Sequence, residues 1–461
     1  MEITPIGWIL IPLGVALALV RPKWLYYLTI FFAPFSATSV LNHGSGSAAS
    51  GVMPYMLLAF LLFLRELANA LTRFSIRFAR SIRRFVYMLL LFLGVCGASL
   101  VMPLIINGKL EVMSGPSLNY ALVPLQITRT QFTNLAGLIF GILLAALVAQ
   151  YNVVPEQFYR SLRVYLISGV FISVWGLMQF GLSIAGIPYP FAVFNNSASS
   201  GALGYRATLQ ATHIQRISSV AMEPSYLAIV LAGMIPMLLI AILYKRPILG
   251  RLSDRVALLL IGVVLVLTMS STGYLGMIVL MGLLPFCLSQ YRQFRWKLVA
   301  GILLLLGGLV AAFVAIPVVR DALTVVLIDK AASVSALERL TVIFNDLNYF
   351  LKYPLLGIGW ASAPTHDLVV GMLANCGLIG FSCFALSIFA IGSRLRRAFA
   401  LETSIHEAIV PPLMMFLSLF ITCLSYVISG PIGRGEFWIV LGLSISAVVV
   451  AGRRQAALEA A

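Results

Sequence analysis

The sequence predicts an all-α fold, a polytopic integral membrane helix bundle of about 12–13 transmembrane helices. Three observations predict it. Hydrophobic residues make up 61% of the 461 and charged residues 10%, with a mean hydropathy of +1.01; a water-exposed domain needs more polar surface than that to cover itself. Apolar runs of about 17–25 residues, the length of helix that crosses a bilayer, recur from end to end. Basic residues gather in alternate connections between those runs, as the positive-inside rule requires.

The runs are placed in order by their flanks. The first, 4–20, lies between Glu2 and Arg21-Pro22-Lys23, and 24–41 follows; 52–64 is closed by the arginines between 65 and 84. Then come 85–106, 132–150 and 164–185, the last preceded by Arg160 and Arg163. Glu223-Pro224-Ser225 is a helix-start signature and opens 225–243. Lys245 to Arg255 separates it from 256–270, a tight turn leads to 272–288, and Arg292 to Lys297 precedes 298–317. The last three runs, 368–391, 408–428 and 437–451, are bounded by Arg394 to Arg397 and by Arg453-Arg454. The chain therefore reads as one polytopic membrane domain, 1–461, with two long outer loops at 186–224 and 318–367.

The net charge of +16 does not indicate nucleic acid, because most of the Lys and Arg sit in one alternate set of connections. That set should face the cytoplasm together with the C-terminus. The first run lacks the basic leader of a cleaved signal peptide and is expected to be retained, with the N-terminus outside. The five cysteines, Cys96, Cys287, Cys376, Cys383 and Cys423, fall inside apolar runs without metal-ligand spacing and read as small core residues. Gly137-x-x-x-Gly141 and the series Gly371, Ala374, Gly377, Gly380 read as close helix packing. No internal repeat marks a secondary transporter.

Polar chemistry collects in the outer loops. His213 and His366 lie there, with Arg206, Arg216, Arg320, Arg339 and Arg434 on the face where the positive-inside rule disfavours arginine. An arginine fork at a membrane surface suits phosphate or carboxylate. Residues 335–353 read as an amphipathic helix: Leu337, Leu340, Ile343, Phe344, Leu347, Phe350 and Leu351 recur at steps of three and four, and Pro354 ends the run. Its apolar face is expected on the membrane surface or against the bundle. Next comes "YPLLGIGWASAPTHD", in which Gly357 and Gly359 permit tight turns and Asp367 suits a helix N-terminus.

The order of these features resembles the O-antigen ligase and polymerase family of bacterial envelope proteins. An arginine precedes the Glu-Pro-Ser start, a span ends in "LTMSSTGYLGMIVL", an outer loop carries an Arg-bearing helix, and "YPLLGIGWASAPTHD" leads to "LANCGLIGF". Family members carry a similar "p-l-l-G-i-G…H-n/d…G-l-i-G" signature at the end of a large periplasmic loop. The resemblance covers roughly residues 200–392, and Asp367 stands where many members have Asn. It implies glycosyl transfer at the outer face of a bacterial inner membrane, from a glycan on undecaprenyl diphosphate to a sugar hydroxyl. It implies no cofactor, neither metal nor nucleotide sugar, with membrane lipid and a chain-length regulator as partners. The family's essential histidine maps onto His366, and its loop arginines onto Arg216 and Arg339.

The residues themselves fit that chemistry. Arginines neutralise a departing diphosphate, and a histidine of near-neutral pKa can take the proton of an attacking hydroxyl. The expected site is therefore His366 as base, Arg216, Arg339 and Arg434 on the diphosphate, and Glu223, Asp367 and Arg206 in support. Trp360, Tyr189 and Tyr205 are candidates for stacking on sugar rings or for an interfacial aromatic belt. Polymerisation of repeat units, ligation of a polymer to lipid A core, and transport of lipid-linked glycan all remain open at this level. The spans are nearly free of ionisable residues, which argues for chemistry at one face over transport.

Overall fold

Fifteen helices account for most of the described chain: α1 Pro5–Val20, α2 Pro22–Phe32, α3 Pro54–Arg73, α4 Arg80–Ser99, α5 Met102–Ile106, α6 Arg129–Tyr151, α7 Pro155–Ile184, α8 Phe191–Phe194, α9 Pro224–Leu243, α10 Arg251–Leu267, α11 Ser271–Cys287, α12 Val334–Lys352, α13 Leu368–Ala400, α14 His406–Ser429 and α15 Gly435–Glu459. The computed structural model describes residues 1–44, 50–73, 79–114, 121–198, 215–288, 334–400, 406–430 and 432–459. Five short strands complete it. β1 Glu2–Ile3, β2 Leu41–His43 and β3 Ser50–Val52 form one antiparallel sheet, and β4 Glu111–Met113 pairs with β5 Leu122–Pro124.

Among the described residues, eight helices are long and apolar enough to cross a membrane, so the chain is an all-α, multi-pass membrane protein. The apolar helices α1 and α11 are shorter. The expected run 24–41 is corrected: α2 stops at Phe32, and residues 33–40 continue as turns. Pro34 supplies no amide and disfavours helix at Ala33. The freed backbone is tied instead to distant segments. Ala37 N–H donates to Val220 O (2.9 Å), Ser39 N–H donates to Asn196 Oδ1 (2.8 Å), and Ser36 Oγ accepts from Met222 N–H (3.1 Å). The expected run 298–317, with Arg320, lies outside the described residues.

The most enclosed helices are α9, α14 and α15, with α6 packed on α15 and α4 on α13. Small residues set these approaches. A Cβ on Gly141 would meet the Trp438 indole at 2.2 Å, and one on Gly442 the Ala145 carbonyl at 2.7 Å. Gly137, its expected companion, faces open space. Outward faces carry Leu91, Leu259 and Phe389, exposed apolar side chains of the kind a lipid-facing surface needs. On α12 the stripe Leu337, Leu340, Phe344, Leu347, Leu351 also points outward, while Val342, Asp346 and Tyr349 are buried. Among the described residues nothing covers that stripe, while Ile343 and Phe350 of the expected apolar face are half-buried.

The outer-loop segments assigned by charge alternation meet at one end of the bundle. Ala198 N–H donates to Asn42 Oδ1 (3.1 Å), Met113 N–H to Tyr349 Oη (3.1 Å), and Gln131 Nε2 to Ser362 Oγ (2.7 Å). At this end α13 is broken at Gly377 (φ 66°, ψ −172°). The turn at 354–359 fills the break: Ile358 and Gly359 N–H donate to Ala374 and Asn375 O (2.8 and 3.0 Å), and Leu378 and Ile379 N–H donate to Pro354 and Leu355 O (2.8 and 3.2 Å). A Cβ on Gly377 would lie 2.2 Å from Leu355 O, and one on Gly357 2.4 Å from Ala374 O.

Gly377→Ala is expected to destabilise the fold by on the order of 2 kcal/mol or more, through positive φ and the carbonyl clash. Gly137→Ala, in open helix, should stabilise by about 0.5–1 kcal/mol. Thermal unfolding of the detergent-purified variants, followed by size exclusion, measures both.

Candidate functional site

Asn375 is the first link from the helix break to the site. Its Nδ2 donates to Gly371 O within its own helix (2.9 Å), and its Oδ1 accepts from Ala363 N–H (2.9 Å). Trp360 N–H donates to Ser99 Oγ (3.0 Å), and Gly371 leaves room for Thr365, which would lie 2.5 Å from a Cβ there. Residues 359–367 are thus pinned on both sides before they deliver His366 and Asp367 to the start of α13. Asp367 is buried, and its Oδ1 caps the helix by accepting from Val370 N–H (2.8 Å). This is the helix N-terminal role expected of it.

Arg216 is tethered by Nε–H to Thr268 O (3.1 Å) in the turn before α11. Glu223 precedes the first turn of α9, where its Oε2 accepts from Ser225 Oγ (2.9 Å). Ser225 therefore holds the carboxylate and does not cap the helix itself. Neither Glu223 nor Ser270, the residues before α9 and α11, caps its helix with a side-chain hydrogen bond. Arg434 lies over the Tyr226 ring, and its Nη1 is buried without a hydrogen-bond partner. Glu436, buried in the first turn of α15, accepts from Tyr426 Oη (2.9 Å).

These groups feel one another's charge. Burial lowers the Arg216 pKa, Glu223 and Tyr274 counter that, and Arg339 lowers it further. For Arg434, burial works against the charge, but Tyr226, Tyr426, Glu436 and Glu223 outweigh it and leave the pKa above its ordinary value. His366 is lowered by burial and then by Arg339, against smaller upward pulls from Glu338, Glu223 and Asp367. Arg216, Arg434 and His366 thus each feel the Glu223 carboxylate, and Arg339 acts on Arg216 and His366. Among the described residues Arg339 has no hydrogen-bond or ion-pair partner, so two guanidinium groups, Arg339 and Arg434, retain unmatched donors. Such an arrangement suits a multiply charged anion. The lowered pKa keeps His366 neutral at pH 7, the form that accepts a proton.

Arg206 and Tyr205 lie outside the described residues, as does His213. Tyr189 is used structurally, its hydroxyl donating to Asn195 Oδ1 (2.9 Å). Sequence reading missed Tyr226, Glu436, Asn375 and Asp346. Glu436 is an acid directly before the apolar run 437–451 and two residues from Arg434, which is a usable signal. Asp346 shares a buried stripe with Val342 and Tyr349, but the stronger apolar stripe on α12 points the other way. Its Oδ2, like that of Asp367, is sealed from solvent without a partner.

No protein-family model matches the chain, and no curated protein aligns with it significantly.

Burial and then the Asp367 charge push the Asp346 carboxyl up to about 8. Between its ordinary 3.8 and that value the folded protein holds a proton that the unfolded chain releases, so stability falls as pH rises through this window. Asp346→Asn removes the titration. The variant should be more heat-stable than wild type near about pH 8.5, and the advantage should vanish toward about pH 4. Parallel melting curves across pH measure this; a constant offset between the two proteins would refute it.

Proposed function

We propose that this protein is a glycosyltransferase of the outer face of a bacterial inner membrane, joining glycan carried on undecaprenyl diphosphate to a sugar hydroxyl. The observation that carries the reading is Arg216, Arg339 and Arg434, the last two with unmatched donors, set with His366 in one group of interacting charges. The resemblance of residues 200–392 to the O-antigen ligase and polymerase family supports it. Among that family's reactions we take polymerisation of repeat units as the working assignment, on the Glu223-Pro224-Ser225 start.

In this reading the acceptor hydroxyl attacks the anomeric carbon of the lipid-linked sugar. The bond from that carbon to the phosphate oxygen breaks, and undecaprenyl diphosphate leaves with the electron pair. His366 takes the hydroxyl proton. Arg216, Arg339 and Arg434 neutralise the charge that grows on the diphosphate, an effect strongest where water is excluded. Glu223 offsets the positive charge of Arg216 and Arg434. Asp367 fixes the backbone from which His366 projects.

The deciding experiment is a gel of surface and lipid-linked glycan from a deletion strain complemented with wild type or His366→Ala. The variant should yield single repeat units on the acceptor and no ladder. Long polymer left on its lipid carrier, with a bare acceptor, would assign ligation instead. Normal glycan from His366→Ala would remove the base.

With purified protein, His366→Ala should cost about 10²-fold or more in rate. The acid limb of the wild-type pH–rate profile should fall below the ordinary histidine value of 6.5. Arg339→Gln removes one of the two influences that lower the His366 pKa, so that limb should move to higher pH.

A further inference from the structure

Beside the cluster lies a cavity of about 440 Å³, within the ~300–1,000 Å³ range of small-molecule sites. Its walls are the β4–β5 hairpin, the first turns of α6, the 360–367 segment and the first turns of α13. It meets the cluster at Asp367, adjacent to His366. Among the described residues none of the lining is Lys, Arg or His, and Asp367 is the one charged group there.

We propose that this cavity is a glycan subsite, holding the acceptor sugar whose hydroxyl is presented to His366. The inference rests on the transferase reading and adds to it where and how the acceptor is held. A diphosphate would need cations, which the lining lacks. A polyprenyl tail would fit the apolar part of the walls but would leave the amides and hydroxyls among them unpaired. Neutral hydrogen-bonding side chains such as Gln126, Thr130, Asn134 and Thr365, with the Trp360 indole, are the recognition set of a sugar. Asp367 Oδ2 and Trp360 Nε1, both on lining residues, lack hydrogen-bond partners.

The walls are preorganised. Gln131 ties α6 to the 360–367 segment through Ser362, and Thr128 N–H donates to Gln131 Oε1 (2.7 Å). Tyr349 of α12 holds the hairpin through Met113 N–H. Asn134 is exposed and bonds only to Thr130 O of its own helix (2.8 Å), so a larger side chain there obstructs the cavity without disturbing the fold.

The test uses the full chain in lipid nanodiscs. The probe is the oligosaccharide released by mild acid from lipid-linked glycan of the deletion strain, free of lipid and phosphate. Saturation-transfer NMR should show it bound to wild type and to Gly137→Ala, a turn further along α6 and facing open space. Binding should be about tenfold weaker or worse with Asn134→Trp, and with Asn134→Leu if the Trp variant does not fold. Inorganic pyrophosphate should not displace it. Binding that survives both substitutions, or that pyrophosphate competes away, overturns the subsite. Glycan made in cells separates this inference from its parent. Polymer lost with His366→Ala but intact with Asn134→Trp removes the subsite alone; polymer intact with both removes the transferase as well.

Discussion

Four backbone hydrogen bonds between the 354–359 turn and the break in α13 hold the remainder of the site in register. A helix interrupted inside an apolar bundle exposes two carbonyls and two amides, and each would cost several kcal/mol if left unmet. Here another part of the chain meets all four. Gly357 and Gly377 are required because each lies against the other segment's carbonyl, where no Cβ fits. From this joint the chain has few residues in which to reach His366, and Asn375, Ser99 and Thr365 contacts fix its course. The glycine-rich approach to the histidine is thus a structural dock for a broken helix.

Electrostatics impose the opposite tendency. Arg216, Arg339 and Arg434 come from three separated segments; Glu223 acts on Arg216 and Arg434, and Arg339 acts on Arg216. Arg434 is further stabilised by the faces and hydroxyls of Tyr226 and Tyr426, and by Glu436. The two acids on the other side, Asp346 and Asp367, each keep a buried oxygen unpaired. Unmatched donors and acceptors of this kind lower stability, and they concentrate where a charged ligand is meant to complete the set.

The amphipathic helix α12 joins these regions to the surroundings of the bundle. Its outward stripe of leucines and phenylalanine suits an interfacial environment. Its inner side carries Asp346 and Tyr349, and Arg339 near its start acts on both Arg216 and His366. A substrate with a lipid tail and a charged headgroup would meet both faces of one element. The broken helix and the cavity share the 359–367 segment, which also carries His366 within the field of Arg339.

Composition and periodicity alone determined the fold class, most helix positions, the presence of an apolar stripe on α12, and the set of loops that meet at one end. These are local properties: an apolar run of sufficient length must be helical in a bilayer, and Pro224 or Asp367 marks a helix start wherever it sits. Residue types likewise pointed to His366, Arg216, Arg339 and Arg434, because charged groups are rare enough in such a chain to stand out. Only the tertiary structure ended α2 at Phe32, since the backbone of 33–40 finds its partners near 194–222. Only it broke α13 at Gly377, placed Tyr226 beneath Arg434, brought Asp346 to Asp367, and opened a polar cavity behind Trp360. Each of these depends on groups far apart in the chain meeting across a packed interface, and no spacing within one segment encodes that.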